Sequence, residues 1–151
     1  MEPVEVLKKS DLFCNLNDDQ LKVIAKMCTP LVFEAGCIVH KQGAVARKMY
    51  VIEKGLVGII LEVGPMAQRQ VQAAVDFESF GWSSMTEPYT WSATAKALET
   101  TTAFAFDGKE LDDLCSTHPE IGNQVHKALA HLVGKRLRQA YVQLLGVTYC
   151  T

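Results

Sequence analysis

The chain has 151 residues, of which 48% are hydrophobic and 21% are charged, and these values are typical of one globular domain with a substantial core. The formal net charge of -2 gives no overall attraction to nucleic acid or to an acidic membrane surface. No apolar run reaches the ~18 residues of a membrane-spanning helix, so no membrane partner is expected.

The N-terminal stretch MEPVEVLKKSD carries acidic residues and lacks the apolar segment of a secretory signal. We therefore expect a cytoplasmic protein. The five cysteines lie at unrelated spacings: Cys14, Cys28, Cys37, Cys115 and Cys150. This pattern supports no metal site. In a reducing compartment we expect small buried thiols, with Cys150 exposed at the end of the chain.

Helix-start signals occur on both sides of the middle of the chain. Each is a capping residue followed three positions later by Glu or Gln: Asn17 with Gln20, Asp107 with Glu110, and Thr117 with Glu120. Pro119 fits the first turn of the last helix, which is predicted from His118 to about Leu145. The predicted single domain, residues 1–151, comprises a helical N-terminus over about 10–28, a β-roll over about 30–106 and C-terminal helices over about 108–146.

Between these helices, short β-branched or alternating runs are broken by glycines at intervals of about 8–12 residues, a pattern typical of a β-sandwich or barrel. About seven or eight strands are predicted. Gly36, Gly43 and Gly55 stand where tight turns need a positive φ. The fold class is therefore mainly β with flanking helices.

The stretch EAGCIVHKQGAVARKMYVIEKGLVGI, residues 34–59, resembles the cyclic-nucleotide-binding domain, as found in the effector domain of the catabolite activator protein. The spacing that carries this resemblance involves Gly36, Ile38, Gly43, Tyr50, Ile52, Gly55 and Val57. It continues through Phe80–Gly81 and Ser92–Thr94, and so covers most of the chain. The resemblance implies a β-roll (a jelly roll, or double-stranded β-helix) followed by a long C-terminal helix. It also implies a regulatory module that holds a small molecule at a short internal helix, the phosphate-binding cassette.

The cassette keeps the spacing of the family but not its charges. In the family, a Glu after Phe-Gly accepts the ribose 2′-OH, and an Arg nine residues later neutralises the cyclic phosphate. Here Trp82 and Trp91 stand at those two positions. We therefore expect that cAMP and cGMP do not bind in the usual way. The resemblance implies a ligand site at Phe80, Gly81, Trp82, Ser83, Ser84, Trp91 and Ser92.

Two interpretations of the tryptophans remain open. Both rings could fill the emptied pocket, which would leave a structural or dimerisation domain that binds nothing. Alternatively, the pocket could serve a nucleotide-like or planar aromatic ligand stacked on indole. The hydroxyls of Ser83 and Ser84 favour the second interpretation slightly, because a pocket serving only as core would gain from apolar residues there.

Catalysis finds no support in the sequence. The four histidines have no Ser, Cys or carboxylate partner at a recognised motif spacing: His40, His118, His126 and His131. Haem sensing occurs in relatives of this fold, but no His or Cys here matches an axial-ligand position. We expect a non-enzymatic protein with no catalytic residue, no metal and no cofactor.

The last helix carries a wide apolar stripe that continues beyond Leu132. We expect residues up to about Leu132 to pack on the roll, and the segment Leu137–Leu145 to pair two copies as a homodimer. A basic side of the same helix is expected to be solvated: Lys127, Lys135, Arg136 and Arg138.

Transcription regulators that resemble this chain continue into a helix-turn-helix domain of roughly 60–80 residues. The sequence ends at Thr151, so we expect no nucleic-acid binding by this chain alone. Two alternatives stay open at this point. The chain is either a stand-alone sensor or the effector half of a regulator cut before its DNA-binding domain.

Overall fold

Antiparallel strands dominate the structure, a computed structural model that describes residues 1–146. The strands of this part are β1 (Thr29–Phe33), β2 (Ile38–His40), β3 (Lys48–Lys54), β4 (Val57–Gly64), β5 (Ala67–Ala74), β6 (Ser79–Phe80), β7 (Thr94–Ala97) and β8 (Thr101–Asp107). The helices are α1 (Pro3–Lys9), α2 (Asp18–Ala25), α3 (Gly108–Thr117) and α4 (Pro119–Leu145), with a 3₁₀ helix at Trp82–Met85.

The strands form two four-stranded sheets, ordered β1-β8-β3-β6 and β2-β7-β4-β5. All the pairings between these strands are antiparallel. The helices flank the two sheets, and α4 is the long C-terminal helix. The predicted fold class, a mainly β roll with flanking helices and a long last helix, is confirmed, whereas its single-domain boundaries stay a prediction.

Strands β3 and β8 separate two hydrophobic clusters, because alternate side chains of a strand point to opposite faces. Met49 and Val51 of β3 pack among the helices, while Tyr50 and Ile52 lie inside the roll. Strand β8 repeats the alternation, with Phe104 and Phe106 towards the helices and Ala105 inside. The small side chain of Ala105 leaves room inside the roll for the rings of Tyr50 and Phe80.

Two of the three predicted capping pairs are present. The Asn17 side chain accepts from the Gln20 amide at 2.9 Å, and the Gln20 side chain accepts from the Asn17 amide at 3.0 Å. Asp107 likewise accepts from the Glu110 amide at 3.0 Å.

The prediction that Thr117 and Glu120 form a capping pair was wrong. Helix α3 extends to Thr117, so His118 alone separates it from α4. The Thr117 hydroxyl therefore donates back to the Asp113 carbonyl of its own helix, at 3.1 Å. Pro119 does occupy the first turn of α4, as predicted.

The sequence analysis missed two short elements. Helix α1 precedes the predicted helical start at residue 10 and buries Val6 and Leu7. Its 7 residues are too few for a clear helical period. Strand β6 has 2 residues, too few for an alternating pattern, and is defined by its pairing with β3, Tyr50 opposite Phe80.

The cysteine prediction was partly wrong. Cys115 is buried and Cys28 half-buried, but Cys14 and Cys37 are exposed, and all four are free thiols. The exposed pair lies in loops outside both clusters, where hydrophobicity alone does not enforce burial. The prediction for Cys150 falls outside the described residues.

The buried side chains of helix α4 lie in its first half. They end at Leu132: Ile121, Val125, Ala128 and Leu132. Beyond that point Gln143 donates a hydrogen bond to the Val71 carbonyl of β5, so one side of the helix stays beside the roll. The predicted limit at about Leu132 therefore agrees with the end of the buried apolar side chains, but polar contacts with β5 continue beyond it.

Candidate functional site

The short helix predicted after Phe80–Gly81 is present as the 3₁₀ helix. Gly81 precedes it with φ 88°, a left-handed conformation that favours glycine. A Cβ at Gly81 would lie 2.9 Å from the Lys48 carbonyl oxygen and 3.3 Å from the Trp91 ring. Phe80 is fixed just before this turn by stacking on Tyr50, with ring centroids 5.0 Å apart. The pairing of β6 with β3 thus positions the start of the turn. The absence of a side chain at Gly81 lets the backbone lie close to the Trp91 ring.

Six of the seven predicted site residues surround one cavity of about 170 Å³. They are Phe80, Gly81, Trp82, Ser83, Trp91 and Ser92. The remaining wall consists of residues that the sequence analysis did not assign to the site: His40, Ile59, Gln72, Ala93 and Arg136. The cavity therefore lies between residues of strands β2, β4, β5 and β6, the 3₁₀ helix, the segment before β7, and α4.

Ser84 does not belong to this cavity. Its hydroxyl donates to the Gly81 carbonyl at 2.9 Å, and the residue is buried against Gly108. The first turn of the 3₁₀ helix directs Ser83 towards the cavity and Ser84 towards α3, where it lines a separate groove. Spacing along the sequence could not separate these two neighbours.

Trp91 is fixed by backbone hydrogen bonds and by the stacking of its indole ring. Its backbone amide donates to the Ala44 carbonyl at 2.9 Å, and its carbonyl accepts from the Gly43 amide at 2.8 Å. The indole is 7% exposed and lies flat on the His40 imidazole, with centroids 3.6 Å apart and an angle of 6° between the planes. A stacked pair of neutral rings thus lies at Trp91, where the sequence resemblance implies the family's arginine.

His40 is a neutral imidazole at ordinary pH. Burial lowers its pKa from 6.5 to about 4, although backbone groups at Ala93 and at His40 itself favour the charged form. Neither ring nitrogen makes a hydrogen bond of normal geometry to any residue in the range 1–146. The flat contact with Trp91 therefore holds the imidazole through stacking, and no hydrogen-bond partner fixes its tautomer.

Trp82 is anchored through its polar edge. Its indole N–H donates to the Ser79 hydroxyl at 2.9 Å. The Ser79 amide donates in turn to both carboxylate oxygens of Asp11 at 3.1 Å. Burial raises the pKa of Asp11, and the bonds from Ser79 oppose that rise. The indole has no acceptor to offer a ligand.

Arg136 brings a positive charge to the cavity from α4. Its guanidinium donates to the Gln72 side chain at 2.7 Å, and the Gln72 amide donates to the Arg136 carbonyl at 3.2 Å. The same guanidinium lies over the Trp82 ring, 4.9 Å from its centroid. Burial lowers the pKa of Arg136, and the nearby carboxylates of Glu78 and Asp11 oppose the shift.

The prediction that Arg136 belongs to a solvated basic side of the last helix was therefore wrong. The side chain is half-buried, whereas Lys127, Lys135 and Arg138 are exposed as predicted. Sequence spacing cannot reveal this difference, because it depends on which face of α4 meets β5. Helical periodicity holds one usable signal: Arg136 follows Leu132 by four positions, so it lies on the face that packs.

No group of three or more His, Cys, Asp and Glu residues in the range 1–146 is arranged to hold a metal ion. In the same range, no helix combines the length and the apolar character needed to cross a membrane.

Comparison with known proteins supports the interpretation of the fold. A curated protein of Rhodopseudomonas palustris, named as a candidate potassium channel protein, is 27% identical over 136 residues, which are 89% of this chain and 32% of that protein. The chain therefore spans about a third of that relative.

Two solved structures are similar over most of the chain. A candidate cyclic nucleotide-binding protein from Geobacter metallireducens is 25% identical with a TM-score of 0.78, covering 91% of this chain and 98% of that one. A cyclic nucleotide-binding domain from Methylobacillus flagellatus is 21% identical with a TM-score of 0.83, covering 99% and 84%. The sequence model of the cyclic nucleotide-binding domain matches residues 30–118. Because this match covers more than half of the chain, the protein belongs to the cyclic nucleotide-binding domain family.

Proposed function

We propose that this protein is a non-enzymatic, small-molecule-sensing regulatory module that does not bind cAMP or cGMP in the usual way of its family. One observation carries the proposal. Trp91, at the position of the family's phosphate-binding arginine, is buried and stacked flat on His40. A cyclic phosphate placed there would meet two neutral rings.

A cyclic nucleotide would lose binding free energy at both tryptophan positions. A hydrogen bond to a charged group contributes ~1.5–3 kcal/mol, and the phosphate would lose this bond at Trp91. The ribose hydroxyl would lose its acceptor at Trp82, whose N–H already donates to Ser79. At ~1.4 kcal/mol for each factor of ten, these losses lower the affinity for a cyclic nucleotide by a few orders of magnitude.

The size of the cavity supports the same conclusion. Its volume of about 170 Å³ is below the ~300–1,000 Å³ of ordinary small-molecule pockets. The rings of His40 and Trp91 take up space that a ligand would otherwise use. The remaining room suits a planar molecule smaller than a nucleotide.

A structural domain with a filled pocket is the second candidate function, and the low exposure of Trp91, 7%, favours it. The polar residues of the lining favour a sensor: Gln72, Ser83, Ser92 and Arg136. A purely structural filling has no use for these groups. A role as the effector part of a transcription regulator is a further alternative, and we place the protein in the cytoplasm in either case.

We also propose that α4 pairs two copies of the chain. A line of apolar side chains on one face of its second half, the α4 stripe, is exposed: Val133 49%, Leu137 50%, Tyr141 50% and Leu144 82%. The spacing of these residues places them on one side of the helix. An exposed apolar line of this length is typical of a helix that packs against a partner helix.

Two-dimensional NMR of ¹⁵N-labelled protein tests the sensor function. The chain has 2 tryptophans and both line the cavity, so the spectrum holds two indole N–H signals, assignable with Trp82→Phe. A set of planar aromatic compounds is titrated, and a cavity ligand should shift both signals. If no compound moves either signal while the protein remains folded, the filled-pocket alternative replaces the sensor.

A further inference from the structure

We propose that the cavity binds a small aromatic anion whose carboxylate is held by Arg136. This inference rests on the proposed sensing function and names the chemical class of its ligand. It means that α4 supplies the cation that the cassette lacks at Trp91.

The charges around the cavity favour an anion. Of its lining residues, Arg136 alone carries a formal charge at neutral pH, since His40 has a pKa of about 4. No Asp or Glu lines the cavity. Glu78 and Asp11 lie near enough to act on Arg136 through their charge, but within residues 1–146 the guanidinium makes no ion pair at 4.0 Å or less.

The guanidinium is held in a defined orientation. Its contact with Gln72 fixes one edge at 2.7 Å, and its face lies over Trp82 at 4.9 Å. Stacking uses the face of the planar group, whereas its N–H donors project along the edges. The hydrogen bond to Gln72 occupies one of these donors, and an edge with parallel donors matches a carboxylate.

Because the Arg136 guanidinium is partly buried, an anionic ligand should bind more tightly than a neutral one. Removal of Arg136 from water disfavours its charged form, as the lowered pKa shows, and no carboxylate of the described part of the chain pairs with it. A bound carboxylate would supply that missing partner. A neutral molecule of the same shape would leave the guanidinium as it is.

The other walls favour an aromatic body. Ile59, Phe80, Trp82 and Trp91 give apolar contact, and the hydroxyls of Ser83 and Ser92 stand at the rim. Stacking on aromatic side chains favours a flat ring. The volume of about 170 Å³ suits one ring with a short acidic group, so a benzoate-sized molecule is the matching probe.

Calorimetry with matched pairs of probes tests the proposal. Benzoate is compared with benzamide, and nicotinate with nicotinamide, at pH 7 and low ionic strength. Each pair keeps the ring and removes the charge. We expect the acids to bind at least ~10-fold more tightly than the amides, which corresponds to ~1.4 kcal/mol, the scale of one charged hydrogen bond.

Variants assign the effect to one residue. Arg136→Gln should weaken benzoate binding at least ~10-fold and remove the difference between acid and amide. Arg136→Lys, which keeps the charge but not the paired donors, should retain part of the difference. Arg138→Gln is the matched control, because Arg138 is an exposed arginine of the same helix. Thermal unfolding confirms that each variant is folded.

Three results would overturn the inference: equal affinity for acid and amide, an unchanged benzoate affinity in folded Arg136→Gln, or no binding of either acid at 10 mM. The first two leave the sensing function in place and remove only the anion. Tight binding of cAMP by the wild-type protein in the same instrument would instead contradict the proposed function, whatever the acids do.

Discussion

At the scale of single residues, the contact between His40 and Trp91 is the basis of the proposed function. The two neutral rings lie with their centroids 3.6 Å apart, at the position where the resemblance to the family implies an arginine. Stacking requires desolvation of both rings, and burial keeps the imidazole uncharged. The pair therefore stabilises the roll, and in the proposed function it leaves a cyclic phosphate without a cation at Trp91.

Substitution Trp91→Ala measures how much this ring contributes to stability. The indole is 7% exposed, so we expect the free energy of unfolding to fall by about 3 kcal/mol or more, as for other buried aromatic residues. The exposed neighbour Ser92 gives the control, since Ser92→Ala should change stability by less than ~0.5 kcal/mol. Chemical denaturation measures both variants. A loss below ~1 kcal/mol for Trp91→Ala would mean that the ring is not packed as described.

The stability of the protein should depend on pH through His40. Between pH 6.5 and about pH 4 the unfolded imidazole binds a proton that the folded one does not, so stability falls as the pH falls through this window. The contribution is complete above pH 6.5 and amounts to at most about 3 kcal/mol.

The variant His40→Phe keeps an aromatic ring on Trp91 and removes the titrating group. Denaturation at pH 7 and at pH 4.5 should show a smaller loss for this variant than for the wild type. The exposed residue His126 supplies the control, because His126→Phe should retain the wild-type pH dependence. An identical loss in His40→Phe and wild type would contradict the low pKa of His40.

Some residues of the site could be predicted from one stretch of sequence, and others could not. The spacing of Phe80, Gly81, Trp82 and Trp91 is a property of one loop, so the sequence analysis predicted their common position. His40 and Arg136 enter from β2 and α4, and only the packing of those elements on the loop brings them there. Composition showed the charge on Arg136, and its spacing of four positions from Leu132 was the one local signal that it would be half-buried.

At the scale of elements, tight turns hold the strands of the roll in place. Gly55 has φ 143°, and a Cβ on it would lie 2.7 Å from the Thr101 Cα. The Thr101 hydroxyl accepts from the Leu56 amide at 3.1 Å, so the end of β3 and the start of β8 are in direct contact. This close approach explains the glycine more fully than the turn alone.

Gly55→Ala and Gly36→Ala separate the effect of close approach from the effect of φ. Gly36 also has a positive φ, 89°, but nothing lies within 4 Å of its added Cβ. We expect Gly36→Ala to lose ~1–2 kcal/mol from the left-handed conformation. Gly55→Ala should lose clearly more, because Thr101 must move. Equal losses by chemical denaturation would show that the contact with Thr101 is unimportant.

The elements also show which sequence signals are reliable. Capping pairs succeeded at Asn17 and Asp107, where no helix runs through the capping residue: Asn17 follows a turn and Asp107 ends β8. The same pattern failed at Thr117, because α3 continues through that residue and its hydroxyl bonds to its own helix. A local pattern cannot reveal where the preceding helix ends.

At the scale of the whole molecule, α4 connects the cavity to the exposed surface. Arg136 reaches the cavity from one side of this helix, while the neighbouring residue Leu137 belongs to the exposed α4 stripe. A ligand that binds Arg136 and a partner copy that covers Leu137 would therefore act on the same turn of helix. Calorimetry tests ligand binding at Arg136, and sedimentation tests the pairing of α4 separately.

The double variant Leu137→Glu with Leu144→Glu tests the pairing. In sedimentation at tens of micromolar we expect a dimer for the wild type and a folded monomer for the variant, because charge in an apolar interface opposes association. Val32→Glu is the control, since Val32 is an equally exposed apolar residue, 61%, on the roll. A monomeric wild type would contradict the proposed homodimer.

Calorimetry with cAMP and cGMP tests the central claim most directly. The wild type should give no measurable binding, with any dissociation constant above ~1 mM, because Trp91 provides no cation and Trp82 no acceptor for the nucleotide. Trp82→Glu with Trp91→Arg restores both charged groups and should gain affinity. Micromolar or tighter binding of either nucleotide by the wild type would contradict the account.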